Sequence, residues 1–218
     1  LSVFGTRPEA IKTIPVMKEL SNSFNVVNCV SAQHREMLDQ VLSFFEIQPD
    51  YDLNTMIKAQ DLFDITVNIL NEVKKVLIKE EPDLVVVQGD TTTTMSVALA
   101  SYYLKIPLAH IEAGLRTYNI YSPYPEEVNR QIVSRIASVH FSPTETAKQN
   151  LIKEGISEEL IFVTGNTVID SILYTIEKTQ AEGFEQQFTK KFPFLYNHSD
   201  KSGSVILITG HRRESFGR

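Results

Sequence analysis

Leu84-Val85-Val86-Val87-Gln88-Gly89-Asp90-Thr91-Thr92-Thr93-Thr94 is the stretch on which the reading of this chain turns. Its apolar half reads as a buried strand, and Gly89 then delivers an acid and a cluster of hydroxyls to the strand's carboxyl end. Open α/β sheets hold their ligands at that end of the strands. Pro107-Leu108-Ala109-His110-Ile111 repeats the arrangement, with Glu112 directly after it and Ala113-Gly114-Leu115-Arg116-Thr117 leading away. Two carboxylates are therefore expected to face one crevice. The chain opens in the same manner. Val3-Phe4 runs through Gly5-Thr6-Arg7-Pro8-Glu9 into a helix, with Pro8 suited to its first position and Lys12 about one turn later. A helix start flanked by Arg7 and Lys12 is expected to welcome an anion.

Short β-branched runs alternate with helical stretches along the rest of the chain. Strands are predicted near 1–4, 26–30, 84–88, 108–111, 139–142 and 160–164, and helices near 8–20, 34–46, 60–80, 93–104, 126–137, 144–153 and 166–179. Strand and helix in alternation imply a parallel sheet. The fold class is α/β, a doubly wound, Rossmann-like parallel sheet over residues 1–180. Between Gln60 and Glu80 the apolar residues fall at 62, 65, 69, 70, 73, 76 and 77, which predicts a helix with one stripe on the sheet, ending before Pro82. From 181 to 203 the pattern loses its period and turns polar, and this reads as a linker. Ser204-Val205-Ile206-Leu207-Ile208-Thr209 then reads as the first strand of a second domain, residues 204–218. Leu1 lies inside the first expected strand and is not a methionine, so the chain reads as a piece of a longer polypeptide whose second domain is largely absent.

A 42% hydrophobic content over 218 residues is ample for a core. The net charge of -6 and isoelectric point near 5.4 argue against nucleic acid as the main partner, because binding its phosphate backbone needs a broad basic face. No apolar run approaches the ~20 residues of a membrane-spanning helix. With no signal peptide visible, a cytoplasmic enzyme with no membrane partner is expected. The single Cys29, inside Val26-Val27-Asn28-Cys29-Val30, rules out an internal disulfide and reads as a buried thiol.

Each candidate group has a plainer reading beside the chemical one. Asp90 could simply cap the next helix. However, the four threonines after it are poor helix starters by propensity and offer donors suited to a sugar or phosphate. Glu112 ends a strand with no obvious helix to cap, and a carboxylate there needs a partner, for which Arg116 is the candidate. Glu126 and Glu127 follow Pro125 at a helix start, where the helix dipole alone accounts for them. His211, followed by Arg212 and Arg213, stands at a strand's carboxyl end in the second domain. Guanidinium forks match phosphate, although arginine pairs are common on ordinary surfaces. His34, His110, His140 and His198 lack metal-ligand spacing, so no metal site is expected. The first turn lacks Gly-x-Gly-x-x-Gly and no Walker lysine loop occurs, so no nicotinamide or ATP cofactor is expected.

Taken with Gln33-His34-Arg35-Glu36-Met37-Leu38-Asp39-Gln40, Tyr121-Ser122-Pro123-Tyr124-Pro125-Glu126-Glu127, Gly165-Asn166-Thr167-Val168-Ile169-Asp170 and Gly210-His211-Arg212-Arg213-Glu214-Ser215-Phe216-Gly217, these segments resemble the bacterial non-hydrolysing UDP-N-acetylglucosamine 2-epimerases. The resemblance runs the length of the chain in that family's order and spacing. It implies a two-domain glycosyltransferase-B-like fold, a homodimer, a UDP-sugar substrate and a place in surface-polysaccharide precursor synthesis. The implied reaction interconverts UDP-N-acetylglucosamine and UDP-N-acetylmannosamine. It removes the C2 proton, expels UDP to leave a glycal, and adds UDP back after reprotonation on the other face.

Carried over by position, the resemblance implies Asp90, Glu112 and Glu126 as acid/base groups and His211 as a catalytic or diphosphate-contacting residue. Arg7 and Lys12 support the substrate site, with Arg116 and Arg212 added as substrate-binding candidates. It also implies activation by a second substrate molecule through Gln33, Glu36 and Gln60. That match is incomplete: Glu36 stands where a glutamine can occur, and Ala59 precedes Gln60 where some relatives carry a basic residue. Three alternatives stay open: a hydrolysing relative, a glycosyltransferase of the same fold, or a nucleotide-sugar-binding module without turnover. Most uridine and diphosphate contacts are expected in the second domain, so residues 1–218 alone are expected not to epimerise.

Overall fold

Val85 and Val87 lie in the apolar cluster on one face of the sheet and Val86 in the cluster on the other, all three buried, so this strand is covered from both sides. A strand so placed accounts for the uninterrupted valine run, because no face is left for polar residues. The computed structural model describes residues 1–31, 35–55, 60–181 and 183–195, together with Ile206 and Ile208. In chain order the elements are β1 (Ser2–Phe4), α1 (Arg7–Leu20), β2 (Asn28–Val30), α2 (Arg35–Phe45), β3 (Tyr51–Asp52), α3 (Leu62–Glu80), β4 (Val85–Gln88), α4 (Thr92–Tyr103), β5 (Leu108–Ile111), α5 (Glu126–Ile136), β6 (Val139–Ser142), α6 (Glu145–Lys153), β7 (Ile161–Val163), α7 (Val168–Ala181) and α8 (Phe184–Lys191).

The sheet runs in the order β3-β2-β1-β4-β5-β6-β7 with every pair parallel. The chain winds outward from β1 in one direction and from β4 in the other, which makes the β1/β4 boundary the topological switch point where α/β sheets open a crevice. The doubly wound sheet expected from the sequence is present. The two-residue β3 is the strand that the sequence pattern did not announce.

One face carries Val3, Cys29, Val85, Val87 and Leu108 against Ile69, Val73 and Leu77 of α3, Val97 of α4 and Val133 of α5. On the other face Met17 of α1 meets Val86, Ala109 and Ile111. Each fully buried valine or leucine contributes about 1.5–3 kcal/mol. The buried stripe of α3 (Ile69, Val73, Val76, Leu77) falls on positions that its periodicity predicted. Asp61 and Asp64 form a capping box at its start, and Glu81 adopts a left-handed conformation at its end, one residue before Pro82. Cys29 is fully buried, and burial pushes its thiol up to about 12. Among the described residues no helix is long and apolar enough to cross a membrane.

Contacts divide the chain at Ser171/Ile172. The polar stretch read as linker contains α8, started by Gly183 in a left-handed conformation. Here Phe188 stacks on Phe192 at 5.9 Å, and Phe194 meets Phe192 edge-on at 6.3 Å. The first of these contacts joins the last turn of α8 to the residue that ends it, in a segment whose composition suggested no helix. The predicted strand 204–209 lies outside the described residues, apart from Ile206 and Ile208.

Gly114 fixes how the chain leaves β5. Its φ is +90°, and a Cβ there would sit 2.2 Å from the Ala147 carbonyl oxygen on α6. Gly114→Ala is expected to lower stability by about 2–4 kcal/mol, combining left-handed strain with overpacking. Urea unfolding measures this, and a loss under ~0.5 kcal/mol would show that α6 gives way instead.

Candidate active site

Glu9 decides what the switch point can hold. Its Oε2 accepts hydrogen bonds from the backbone N–H groups of Gly5 at 3.0 Å and Thr6 at 2.7 Å. Its Oε1 lies 2.6 Å from the Thr91 hydroxyl and 3.0 Å from that of Thr94. The side chain is 2% exposed, and with Thr6 it forms a capping box on α1. The anion expected at this helix start is thus the protein's own carboxylate. The threonines are correspondingly committed within the fold: Thr91 caps α4 and accepts from the Thr94 N–H, and Thr93 bonds Ser31 across the switch point at 3.2 Å. Asp90 is not the cap. Two hydroxyls of the run, Thr91 and Thr94, are accounted for by the Glu9 carboxylate, and a third, Thr93, by Ser31.

Asp90 is freed for other work by a turn held at three successive carbonyls. Thr94 Oγ1 lies 2.7 Å from the Gln88 oxygen, His110 Nε2 2.7 Å from that of Gly89, and Asn129 Nδ2 donates to that of Asp90 at 2.9 Å. The Asp90 carboxylate pairs with the Arg130 guanidinium on α5. Burial pushes its carboxyl above the ordinary range, Arg130 opposes the rise, and the charges of Glu112 and Glu126 add to it. Glu112 and Glu126 therefore stand near enough to Asp90 to disfavour its charged form.

Glu112 has a φ of +66°, a left-handed conformation that is costly for a residue with a side chain. Its Oε1 receives Lys12 at 2.5 Å and the Asn166 amide at 3.3 Å, and its Oε2 receives the Gln88 amide at 2.6 Å. Lys12 is itself steadied from α7. Pro15 has no N–H to offer the Ile11 carbonyl, and the buried Ser171 hydroxyl takes that place, while Thr167 donates to the Lys12 carbonyl at 2.6 Å. Glu126 opens α5, and its Oε2 is buried with no hydrogen-bond partner among the described residues. An unsatisfied buried acceptor at a strand-end crevice is a place for a ligand donor.

Other expected residues lie elsewhere. Arg116 does not meet Glu112. Its fully buried side chain makes a bidentate pair with Glu154 at 2.7 and 2.8 Å and reaches Ser134 at 2.9 Å, because the left-handed turns at Glu112 and Gly114 carry it toward α5 and α6. Glu127, beside Glu126, is fully buried and structural, accepting from the N–H groups of Thr117 and Tyr118 at 3.0 Å each. Burial opposes its charge, but these bonds outweigh burial and hold the carboxyl below the ordinary range. Arg7 is exposed at the start of α1 and Glu36 is exposed in the first turn of α2, while Gln60 donates to the Thr55 carbonyl at 2.8 Å. Gln33, His211 and Arg212 lie outside the described residues.

The sequence reading missed Gln88, Asn129, Arg130 and Asn166 as individual partners of the acids. A glutamine closing an otherwise all-valine strand, and an arginine three residues beyond Glu127 on one helix face, were the available signals.

The sequence model of the UDP-N-acetylglucosamine 2-epimerase family matches residues 18–218, and the chain belongs to that family. It is 52% identical over 219 residues to the UDP-N-acetylglucosamine 2-epimerase of Neisseria meningitidis serogroup A, a match covering all of this chain and 58% of that protein. Among solved structures, the N. meningitidis UDP-GlcNAc 2-epimerase bound to UDP-GlcNAc superposes with a TM-score of 0.85 at 52% identity, covering 90% of this chain and 54% of that one. The Methanocaldococcus jannaschii UDP-GlcNAc 2-epimerase in complex with UDP-GlcNAc and UDP gives 0.79 at 38% identity, covering 87% and 52%. The chain thus spans a little over half the length of the curated relatives it matches.

Glu9→Ala is expected to cost about 2–3 kcal/mol or more in urea unfolding, since it strands two buried N–H groups. Glu9→Gln should recover over half of this loss, because the threonine hydroxyls can turn to accept its amide, and an unchanged midpoint in the alanine variant would refute the assignment. Acid sensitivity follows from His110 and His140, which burial lowers from 6.5 to about 3 and about 4. The unfolded chain takes up protons that the folded chain refuses, so their contribution is complete above pH 6.5 and is lost as pH falls toward 4 and 3. The urea midpoint should drop across that window and do so less steeply in His140→Gln, and equal slopes would contradict the buried neutral state.

Proposed function

We propose that the natural-length polypeptide interconverts UDP-N-acetylglucosamine and UDP-N-acetylmannosamine. The observation carrying this reading is the convergence of Asp90, Glu112 and Glu126 on one crevice in three different surroundings. A carboxylate takes the C2 proton while the C1–oxygen bond to UDP breaks, its electron pair leaving with UDP and a glycal remaining. UDP oxygen then re-forms the bond to C1 as C2 is protonated from the opposite face, so no redox partner is needed. Two proton-transfer groups of different basicity suit this chemistry.

Asp90, whose carboxyl burial raises, and Glu126, with its unpartnered buried oxygen, fit the two proton transfers. Glu112, tied by Lys12, Gln88 and Asn166, fits the orientation of the sugar. His211 is assigned a catalytic or diphosphate-contacting role, with Arg212 and Arg7 supporting the substrate site. The buried Glu154 pair counts against Arg116 touching substrate. Activation by a second substrate molecule through Gln33, Glu36 and Gln60, a homodimer, a cytoplasmic location and the 1–180, 181–203 and 204–218 division belong to the same reading. So does supply of surface-polysaccharide precursors. The named substrates of the relatives and the family's name support it.

The test is incubation of the natural-length polypeptide with UDP-N-acetylglucosamine in deuterated water, followed by NMR of the sugar C1 and C2 positions and of free UDP. Deuterium at C2 with a manno product is expected, whereas UDP with free sugar would indicate a hydrolysing enzyme and no change would reject turnover. Asp90→Asn and Glu126→Gln should each slow exchange about 10²–10⁴-fold, the range for a lost general acid or base. Retention of more than a tenth of the rate would exclude the residue concerned.

A further inference from the structure

We propose that Arg130 is a positioning residue for this reaction, holding the Asp90 carboxylate between β4 and α5 in one direction and one charge state. The inference rests on the reading of Asp90 as a proton-transfer group. Arg130 stands four residues beyond Glu126 and three beyond Glu127, so along α5 it neighbours both acids. Its Nη2 pairs with Asp90, and its Nη1 lies 3.5 Å from Glu127 Oε2. Glu127 is fully buried and anchored by two backbone N–H groups, so the guanidinium is braced against a fixed anion. Asn129, the preceding residue, grips the Asp90 carbonyl. Consecutive α5 residues therefore hold both the backbone and the side chain of Asp90. Among the described residues, the charged groups bearing most on Asp90 are Arg130 and Glu126 from α5 and Glu112 from the turn after β5.

Arg130 favours the charged form of Asp90 against its burial. Without that guanidinium Asp90 keeps its proton to higher pH, so the limb of the kcat profile that follows Asp90 ionisation moves upward. In the natural-length polypeptide, Arg130→Gln is expected to lower kcat about 10–100-fold, the scale of a displaced catalytic group. KM should change less than about threefold, since substrate binding in the ground state is not the function removed. Arg130→Lys keeps the charge without the fork and should restore part of the rate and most of the limb position. An unshifted limb, or equal losses in both variants, would overturn the proposal and leave Arg130 as scaffold. If Arg130→Gln fails to melt cooperatively, Arg130→Lys carries the test through a smaller upward shift.

The reaction itself can be separated from the pairing. The Asp90 carboxyl ¹³C signal, assigned with Asp90→Asn, titrates whether or not the wild type turns substrate over. A midpoint that does not rise on loss of the guanidinium would overturn the proposal. A midpoint that rises in a protein without turnover would refute only the reaction assigned above.

Discussion

The buried Glu9 carboxylate is the interaction on which the rest of the sheet's carboxyl edge depends. A doubly wound sheet must open at the point where its strand order reverses, and the first helix directs unpaired N–H groups into that opening. Here the opening is filled from within. Glu9 closes the α1 turn on itself and collects the hydroxyls of α4, so β1 and β4 are joined at their ends by a charge-assisted network with almost no solvent. Such bonds are stronger than neutral ones, and a network of them in a dry site resists slippage of either helix.

With the switch point filled, the acids left for other partners stand to one side of it, after β4 and β5 and at the start of α5. Three carboxylates can share that space because each is treated differently. Glu112 has a lysine and two amides, Asp90 has an arginine and burial, and Glu126 keeps one oxygen unclaimed. Identical carboxyl groups thereby acquire distinct surroundings. The partners come from α1, β4, α5 and the start of α7, so the crevice registers the placement of most of the layer around it.

The sequence disclosed much of the fold and the positions of the acids, while the connections between them were less legible. Valine runs, the period of α3 and a glycine after β4 are local signals, and the structure follows them to within a residue or two. Ion pairs between residues 12 and 112, 90 and 130, or 116 and 154 are set by the three-dimensional turn of the chain. Arg116 illustrates the difference. It lies four residues after Glu112, a sensible partner on a helix, but two left-handed turns intervene and swing it to another layer. The threonines misled for a related reason, because Thr91 is the cap and the hydroxyl of the helical Thr94 meets a carboxylate 85 residues away in sequence.

The left-handed backbone at Glu112 sets two demands on one position against each other. Glycine there would relieve a conformational cost of about 1–2 kcal/mol and settle the turn, yet it would delete the carboxylate that Lys12, Gln88 and Asn166 converge on. The backbone strain at residue 112 and the hydrogen bonds of its side chain are therefore two sides of one balance, the second offsetting the first. Without that carboxylate the Lys12 ammonium and the Gln88 and Asn166 amides would lose their common acceptor, at about 1–3 kcal/mol for each donor left stranded, so the strained turn is held in place by the partners that converge on it.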